Sequence, residues 1–568
     1  MKAISMRSAV IGTVASLTAA VGVVGIGAAM ARTTAAAGTS GGVKIAYYDQ
    51  WSIYQSGFYP KHLDTMGMAG KLDILNYDFE NIDPVNLTCF EATKAADSSE
   101  AGEQNPNAGD GAEDAFADME KSYAAGDSVD GVGDVWGQKV AGNFNQLMKL
   151  KKKYPNLKIL VSIGGWTYSK YFSDAAQPAN RARFVSSCID MFIRGNLPVV
   201  DGYGGPGSIA GLFDGVDIDW EYPGGGGHLG NHSSPSDKQN FTGLLAEFRS
   251  QLDALGGKHY LLTAALPSGQ DKIKNVETDR IGQYLDYGNV MTYDMHGGFW
   301  EPTVTNHQSP LYSPANDPMA PVPPGNRKYN VDTAITAYNQ GLSGYGIPGG
   351  FPAGKTTVGF EFYYRGWTGV QAGNSHGEYQ SATGPSAPYP LSGNVHGVAM
   401  YKEIQATIDN PGYTFWDPDA QAAYYYDGTN FWSGESARSI QAKSDYLHCK
   451  GLAGGMMFSL YDFAPGSTPT LFNDAVNDIN GGSAACPTPP PPGTASPTPP
   501  PTTAPPTSPP PTTPPPGGGT TDTWQPNHLY HVGDVVAYNG RTYKCLQAHT
   551  SLPGWEPPNV PALWQPTT

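Results

Sequence analysis

The sequence has little positive charge and few cysteines. Its 34 Lys and Arg residues stand against 51 Asp and Glu, which gives a net charge of −17 and an isoelectric point near 5.1. This imbalance argues against nucleic acid or an anionic lipid surface as a partner, because both would be repelled at long range. The five cysteines are scattered without a CxxC pair, which argues against a zinc site and against a disulfide-built scaffold. One or two disulfides of undetermined pairing remain compatible with the sequence.

Long apolar runs are also scarce, and the N-terminal one is weakly hydrophobic. Lys2 and Arg7 precede an Ala/Gly/Val-rich segment that ends in small residues near Ala29–Ala31, an arrangement typical of a secretory signal. The alternative is a membrane anchor, since the run is about long enough to span a bilayer, but its Ala, Gly and Thr content disfavours that. We predict a signal peptide over residues 1–31, an exported protein, and no membrane attachment after cleavage.

Proline and glycine, by contrast, are abundant, with 49 and 71 residues. Much of the proline lies in the segment PTPPPPGTASPTPPPTTAPPTSPPPTTPPPGGG, which lacks apolar side chains to bury and favours an extended conformation. We interpret residues 481–521 as a linker between two domains. The linker separates a large domain, residues 42–480, from a tail, residues 522–568.

Short apolar runs recur through the large domain, with helix-like segments such as 143–154 and 237–255 between them. This rhythm is typical of parallel strands joined by helical crossovers. The candidate strands are Val43–Tyr48, Leu72–Phe79, Leu157–Gly165, Gly215–Glu221, Tyr260–Leu266, Val290–Asp294, Thr356–Phe362 and Gly454–Leu460. Eight is the number that closes a (β/α)8 barrel of the α/β class. The last two strands are separated by over 90 residues rich in Tyr, Trp and Gly, and we predict an inserted domain at about 366–438.

The most specific feature is the run DGVDIDWEYP, which places Asp217, Asp219 and Glu221 at alternate positions. Side chains in a strand alternate between its two faces, so the three carboxylates share one face at a spacing of roughly 6.6 Å. In a barrel that face is the lumen, and Glu221 lies nearest the C-terminal mouth, where barrel active sites form. Like charges in file raise a carboxyl pKa, which suits a general acid at neutral pH.

A calcium site or a solvated acidic edge is the alternative interpretation of these three acids. Such a site would spread acid and amide ligands over a Gly-containing loop. Here the acids alternate with Val216, Ile218 and Trp220, which belong in a buried strand. We therefore expect neither a metal nor a cofactor in the reaction.

The run DGVDIDWE resembles the DxxDxDxE signature of glycoside hydrolase family 18, the chitinases and their relatives. LVSIGGW at 160–166 is similar to the SxGG strand of that family, and MTYD at 291–294 to its sixth-strand motif. VGFEFYYRGW at 358–367 resembles the strand that precedes the inserted domain of a bacterial subfamily. The resemblance covers nearly all of residues 43–476. It implies a hydrolase of β-1,4-linked N-acetylglucosamine polymers on a (β/α)8 barrel with an α+β insertion between strands 7 and 8.

The resemblance also implies roles for the site residues. Glu221 protonates the glycosidic oxygen and later acts as the base, in a retaining mechanism in which the substrate's own N-acetyl carbonyl is the nucleophile. Asp219 orients the acetamide N–H and stabilises the positive intermediate, and Asp217 shares a proton with Asp219. Tyr293 hydrogen-bonds the acetamide oxygen, and Asp294 helps to hold the distorted sugar. The alternative for the last two residues is that they only end a strand.

Sugar rings have apolar faces, so a chitin groove needs aromatic platforms. By resemblance, the substrate-binding residues are Met291, Trp51, Trp166, Phe299, Arg365 and Trp367. Each of them could instead serve only packing, and a Met in a strand is often core. The family usually places a Trp on the eighth strand beneath the −1 sugar, whereas we expect GGMMFSLYD to place Ser459 there. Either this register is wrong or the −1 ring is held differently from the rest of the family.

The tail contains six Trp and Tyr residues in a stretch too short for a large core. Within it, VVAYNGRTYKCL is typical of a hairpin with an Asn-Gly turn. The tail resembles the carbohydrate-binding modules of families 5 and 12, small all-β domains that bind chitin. We expect Tyr543 and Trp564 in its core and Trp555, in the LPGWEPP loop, on the chitin-binding surface. The alternatives are that Trp555 is also core and that the module binds cellulose.

These features predict a secreted, extracellular chitinase that acts on chitin and N-acetylglucosamine oligosaccharides as a monomer. A chitin-binding lectin on the same barrel would typically lack the acid at Glu221. An endo-β-N-acetylglucosaminidase acting on N-glycans would share the acidic strand but would gain little from a chitin-binding tail. The sequence leaves endo against exo attack and processivity open.

Overall fold

The computed structural model describes residues 41–483, 485–490, 522–525, 528–530, 533–546, 549–551, 556–558, 560 and 563–567. The predicted signal peptide and most of the predicted linker lie outside the described residues. The described residues fall into two compact units, which are divided between positions 494 and 495.

Eight parallel strands of the first unit close into a barrel. They are β1 Val43–Asp49, β2 Ile74–Glu80, β3 Lys158–Gly164, β4 Gly215–Asp219, β5 Leu261–Leu266, β6 Tyr287–Val290, β7 Thr356–Glu361 and β8 Gly454–Phe458. Each strand pairs with the next one in the chain, and β8 pairs with β1 to complete the ring. The predicted (β/α)8 barrel is confirmed.

The barrel strands are buried on both faces, as strands enclosed by helices must be. On β4, Val216 and Ile218 pack outward into the main core between strands and helices, while Asp217 and Asp219 face inward. A smaller apolar cluster fills the lumen, and its buried members are Ile45, Tyr47, Ile74, Leu160, Tyr293, Tyr363 and Met456. The lumen is therefore a packed core with charged groups inserted toward its C-terminal mouth.

Helices cover the outside of the ring. The α-helices of the first unit are Pro60–Thr65, Glu100–Glu103, Gly142–Lys153, Gly165–Tyr168, Phe172–Ala175, Arg181–Cys188, Asp237–Ala254, Gln270–Ile273, Thr278–Ile281, Val331–Asn339, Tyr401–Ile408, Ala437–Cys449 and Thr470–Gly481. The helices predicted at 143–154 and 237–255 are confirmed within one residue. Side-chain caps fix two helix starts: Asn330 accepts from the backbone N–H of Thr333, and Ser436 from that of Ser439.

Several of the predicted strands end earlier than expected, and β8 stops at Phe458, two residues before Leu460. β4 stops at Asp219, two residues before Glu221, and β6 stops at Val290, so that residues 291–294 follow the strand. Asp294 has φ of 54°, a left-handed conformation that no regular strand contains. The motif residues thus belong to the turns at the barrel mouth, where side chains can leave the regular ladder.

An antiparallel sheet lies between β7 and β8. Its strands are Tyr363–Thr368, Gly384–Pro385, Val398–Met400, Thr414–Asp417, Ala422–Tyr426 and Phe431–Ser433. The helix Tyr401–Ile408 completes an α+β insertion. Its first strand begins two residues after β7, so side chains of the insertion start directly at the barrel mouth.

The second unit is all-β in the residues described. Strands Asp522–Thr523, Val535–Tyr538, Arg541–Cys545 and Trp564–Thr567 form one sheet, and Leu529–Tyr530 pairs with His549–Thr550 in another. The predicted hairpin is present, and both turn residues, Asn539 and Gly540, have positive φ, as a type I′ turn requires. Tyr543 and Trp564 are buried in the core of this unit. Trp555 lies outside the described residues.

Two disulfides join Cys89 to Cys188 and Cys449 to Cys486, and Cys545 is buried in the second unit. The first disulfide attaches the segment after β2 to the helix Arg181–Cys188. No helix among the described residues is both long enough and apolar enough to cross a membrane.

Candidate active site

Asp217 lies deeper in the barrel than Asp219 and Glu221, and it is surrounded by hydroxyl groups. On the two adjoining strands, Ser162 of β3 and Thr263 of β5 lie level with it. Its carboxylate accepts hydrogen bonds from Tyr47 Oη at 2.8 Å, from Ser162 Oγ at 2.8 Å and from Thr263 Oγ1. Complete burial raises the pKa of Asp217, and these hydroxyl donors oppose the rise.

Asp219 has no such donors. It is 3% exposed, and its Oδ1 has no hydrogen-bond partner among the described residues. Burial, followed by the charges of Glu221 and Asp217, raises the pKa of Asp219 well above its usual value. A buried carboxylate oxygen without a donor is costly in a protein interior, so Asp219 is ready to accept a hydrogen bond from a bound molecule.

Glu221 lies at the barrel mouth, where two hydrogen bonds hold its backbone. Its N–H donates to Ser169 Oγ at 2.8 Å, and its carbonyl accepts from Asn231 Nδ2 at 2.7 Å. Burial raises the pKa of Glu221 to about 7, with smaller contributions in the same direction from Asp294 and Glu103. The side chain is 9% exposed and therefore able to meet a ligand in the cleft. Near neutral pH, this carboxyl group holds a proton that it can give away.

Tyr293 and Asp294 face the acids from the turn after β6. Tyr293 is 7% exposed, and burial followed by the charge of Asp219 raises the pKa of its phenol, which remains protonated. Asp294 is half-exposed and accepts from Arg365 Nε at 2.6 Å, so its charge is already paired. Met291 is partly buried against the lumen cluster. The structure thus brings Tyr293 into the acidic site and joins Asp294 to Arg365 beside it.

Phe458, and not Ser459, occupies the lumen position at the end of β8. Its ring centroid lies 5.5 Å from Tyr47 and 6.3 Å from both Tyr293 and Tyr363. Ser459 is fully buried, and its backbone N–H donates to Asp462 Oδ2 at 3.0 Å. The expectation that Ser459 takes the position of the family Trp was wrong by one residue, because side-chain alternation along β8 directs Met456 and Phe458 inward.

Two of the predicted platform residues are exposed near the mouth. Trp51 is 36% exposed, and its Nε1 donates to Tyr461 Oη at 3.1 Å. Trp166 is 38% exposed, and its Nε1 donates to Glu103 Oε2 at 2.9 Å. Both indoles are held by their N–H groups while ring surface stays open, an arrangement that suits stacking against a sugar.

The remaining predicted contacts differ from the expectation. Trp367 is fully buried in the core of the insertion and donates from Nε1 to the carbonyl of Glu301, so it has no face free for substrate. Phe299 is partly buried, whereas the next residue, Trp300, is 44% exposed and has the Arg365 guanidinium 4.9 Å above its ring. Trp300 is the platform candidate that sequence reasoning missed. Its aromatic character and its place six residues after Asp294 were the available signals.

This geometry coincides with a match to a known family. The family model described as "Glycosyl hydrolases family 18" matches residues 43–462. The chain belongs to this family. A second family model, "Carbohydrate-binding module family 5/12", matches residues 523–565. These residues belong to the all-β second unit.

Two bacterial chitinases are similar to the chain. Chitinase A1 of Niallia circulans is 36% identical over 440 residues, which cover 73% of this chain and 56% of that protein. Chitinase C of Streptomyces lividans is 33% identical over 425 residues, with 74% and 57% covered. The chain thus spans a little over half the length of these two curated relatives.

A solved structure of the family supports the fold. The catalytic domain of the psychrophilic chitinase B from Arthrobacter TAD20 has a TM-score of 0.68 and 39% sequence identity, and the match covers 79% of this chain and 97% of that structure. In chemical terms, the candidate site combines a carboxyl of raised pKa at the mouth, a second carboxyl with an open oxygen behind it, and a phenol beside both.

Proposed function

We propose that the chain is a chitinase that hydrolyses β-1,4 linkages between N-acetylglucosamine units, with Glu221 as general acid and then general base. The observation that carries the proposal is the position of Glu221 at the barrel mouth, beside the buried Asp219, with its pKa raised to about 7. A glycosidic oxygen is a poor leaving group until it is protonated, and Glu221 supplies the proton near neutral pH.

We further propose that the reaction retains anomeric configuration and uses the substrate's acetamide as the nucleophile. A protein nucleophile would have to face Glu221 across the sugar at about 5 Å. Asp217 and Asp219 lie on β4, behind Glu221, which follows the end of that strand, and Asp294 is paired with Arg365 at 2.6 Å. The N-acetyl carbonyl of the −1 sugar would therefore attack its own anomeric carbon as Glu221 protonates the departing oxygen.

Asp219 and Tyr293 suit the two ends of that acetamide. The partnerless Oδ1 of Asp219 would accept the acetamide N–H, and its negative charge would stabilise the positive oxazolinium ring. The Tyr293 phenol would donate to the acetamide oxygen; at present its Oη lies 3.6 Å from the sulfur of Met456, which is a weak acceptor. Water, activated by Glu221 as base, would then open the ring.

The −1 sugar would rest on Phe458, with Trp51, Trp166 and Trp300 as the platforms for sugars on either side. Phe458 offers a smaller face than an indole and no N–H donor, so the −1 ring would be held mainly by Asp219 and Tyr293.

We propose that residues 42–480 form this catalytic domain, that 481–521 form a spacer, and that 522–568 form a module that binds chitin through Trp555. The N-terminal segment 1–31 would export the protein, which would act outside the cell as a monomer. The support for these assignments is the family 5/12 match and the signal-like pattern of charge and small residues.

The test compares Glu221→Gln with wild type on a soluble chitin hexamer. The amide keeps the shape of the side chain but carries no acidic proton, so hydrolysis should fall by several orders of magnitude while hexamer affinity in calorimetry stays within a few fold. The matched control is Glu247→Gln, the same substitution on the outer helix Asp237–Ala254, which should retain wild-type activity. Wild-type turnover by Glu221→Gln would contradict the proposal.

A further inference from the structure

A second group of buried carboxylates lies apart from Asp217, Asp219 and Glu221, behind the end of β2. Oxygens of Glu80, Glu91 and Asp118 all lie within 4.8 Å of one another. Glu80 is the last residue of β2, Glu91 follows the disulfide-bonded Cys89, and Asp118 belongs to the helical turn Phe116–Glu120. The last residue of β2 and two separate parts of the segment after it thus direct a carboxylate to one point.

Two members of this group, Glu80 and Glu91, have no hydrogen-bond donor among the described residues. Glu80 is 1% exposed, and among the described residues neither of its carboxylate oxygens has a hydrogen-bond partner; the same holds for both oxygens of Glu91. Asp118 accepts from Gln50 Nε2 at 2.7 Å and from Tyr77 Oη. A fourth carboxylate, Glu113, adjoins Glu80 and accepts from the backbone N–H of Asn81 at 2.8 Å.

Within the described part of the chain, no positively charged side chain is among the largest electrostatic influences on these acids. Burial, and then the charges of neighbouring carboxylates, raises the pKa values of Glu80 and Glu91, and the charged neighbours with the largest effects are all acidic. Two carboxylates in contact are both acceptors, so they require either a shared proton or a cation between them. An uncompensated group of this kind would be strongly destabilising.

Another carboxylate pair in the same unit shows the usual solution. Glu378 and Asp417 also converge within 4.8 Å of a third group, but that group is His307, whose Nε2 lies 3.1 Å from Glu378 and 3.5 Å from Asp417. Burial opposes protonation of His307, yet the hydrogen bonds and charges of the two acids raise its pKa to about 9. A protonated imidazole therefore supplies the positive charge there, whereas the group at Glu80 has no equivalent.

We propose that Glu80, Glu91 and Asp118 bind one Ca²⁺ ion, with Glu113 beside it. Calcium takes six to eight oxygen ligands in flexible geometry and accepts several carboxylates in a protein cage. Magnesium would demand near-octahedral geometry and keep most of its water, and zinc would favour nitrogen and sulfur ligands.

The ion would tie the long segment after β2 onto the barrel. This segment carries Glu103, whose carboxylate holds the Trp166 indole at the candidate groove. Calcium would therefore stabilise the wall of the groove without touching the reacting atoms, and its loss should loosen Trp166 and lower the melting temperature.

The experiment uses the full chain, stripped with EGTA and then dialysed into calcium-free buffer. Adding Ca²⁺ should raise the melting temperature by several degrees, calorimetry should give one ion per chain, and hydrogen exchange should slow in residues 89–120. Glu80→Gln and the less buried Glu91→Gln should each weaken binding at least tenfold. The matched control Glu378→Gln, in the group compensated by His307, should bind calcium like wild type.

Three results would overturn the inference. The first is an unchanged melting temperature with no calorimetric signal, which would mean that the acids share protons, and stability would then rise as the pH falls. The second is undiminished binding in both Glu80→Gln and Glu91→Gln, which would locate the ion elsewhere. The third is loss of binding in Glu378→Gln alone. If a variant fails to fold, the stoichiometry and exchange pattern of wild type still decide the question.

Discussion

The proton donor should set the alkaline limit of activity. The pKa of Glu221 is raised from 4.5 to about 7, chiefly because the carboxyl is buried. At 1.36 kcal/mol per unit, this shift favours the protonated form by about 3 kcal/mol. At pH 7 about half of the molecules then carry the proton, against about one in 300 for an ordinary glutamic acid, a difference of about 150-fold in active enzyme.

The assay is kcat/KM against pH, from pH 4 to 9, on a soluble N-acetylglucosamine oligomer. A general acid must be protonated in the free enzyme, so kcat/KM should fall tenfold per unit above a midpoint near 7. Asp294→Asn removes a negative charge that contributes to the shift and releases Arg365, so the midpoint should move to lower pH while staying well above 4.5. Asp253→Asn, at the end of the helix that leads back to the start of β5, is the control and should leave the midpoint unchanged.

A midpoint below pH 5 in wild type would refute the argument, because it would show that burial does not hold the proton on Glu221. A midpoint that moves equally in Asp294→Asn and Asp253→Asn would refute the role of the local charge.

Three further predictions test other parts of the molecule. Lys443 is 1% exposed and lies between Glu361 and Glu435. Lys443→Met should therefore lower the unfolding free energy, measured in denaturant melts, by about 3–5 kcal/mol, and the loss should be smaller at pH 5 than at pH 8. Equal losses at the two pH values would contradict this prediction. If the acetamide is the nucleophile, fully deacetylated chitosan should be inert and a thiazoline mimic of the intermediate should inhibit strongly, whereas product release from chitosan would indicate a protein nucleophile. Deleting residues 491–568, which keeps Cys486 and its disulfide to Cys449, should lower activity on crystalline chitin and spare soluble oligomers, and Trp555→Ala should do the same; equal loss on both substrates would argue against an independent module.

Much of the fold could be predicted from the sequence because strand periodicity is local. Alternation of apolar and acidic residues along Gly215–Asp219 determines which side chains share a face, whatever the strand pairs with. Eight such runs with helices between them were enough to predict a closed parallel barrel, and the order of strands follows from the right-handed crossovers that join consecutive strands. The Asn539–Gly540 hairpin is local in the same sense, since its turn type depends on two residues.

The site was only partly predictable, because side-chain burial depends on contacts distant in sequence. The acidic file follows from spacing alone, but the choice between Phe458 and Ser459 depends on where β8 ends against its neighbours. Trp367 was expected at the groove and is buried by the rest of the inserted sheet, while Trp300 is exposed and meets Arg365, 65 positions later in the chain.

The sequence by itself therefore determined the barrel, the file of acids and the small aromatic module, each of which rests on short-range patterns. Tertiary structure alone decided the disulfide pairing and the meeting of Glu80, Glu91 and Asp118, which come from separate turns with no shared motif. It also decided the proton affinity of Glu221, because the pKa of a carboxyl depends on how much water and charge surround it, and those are set only when distant segments pack together.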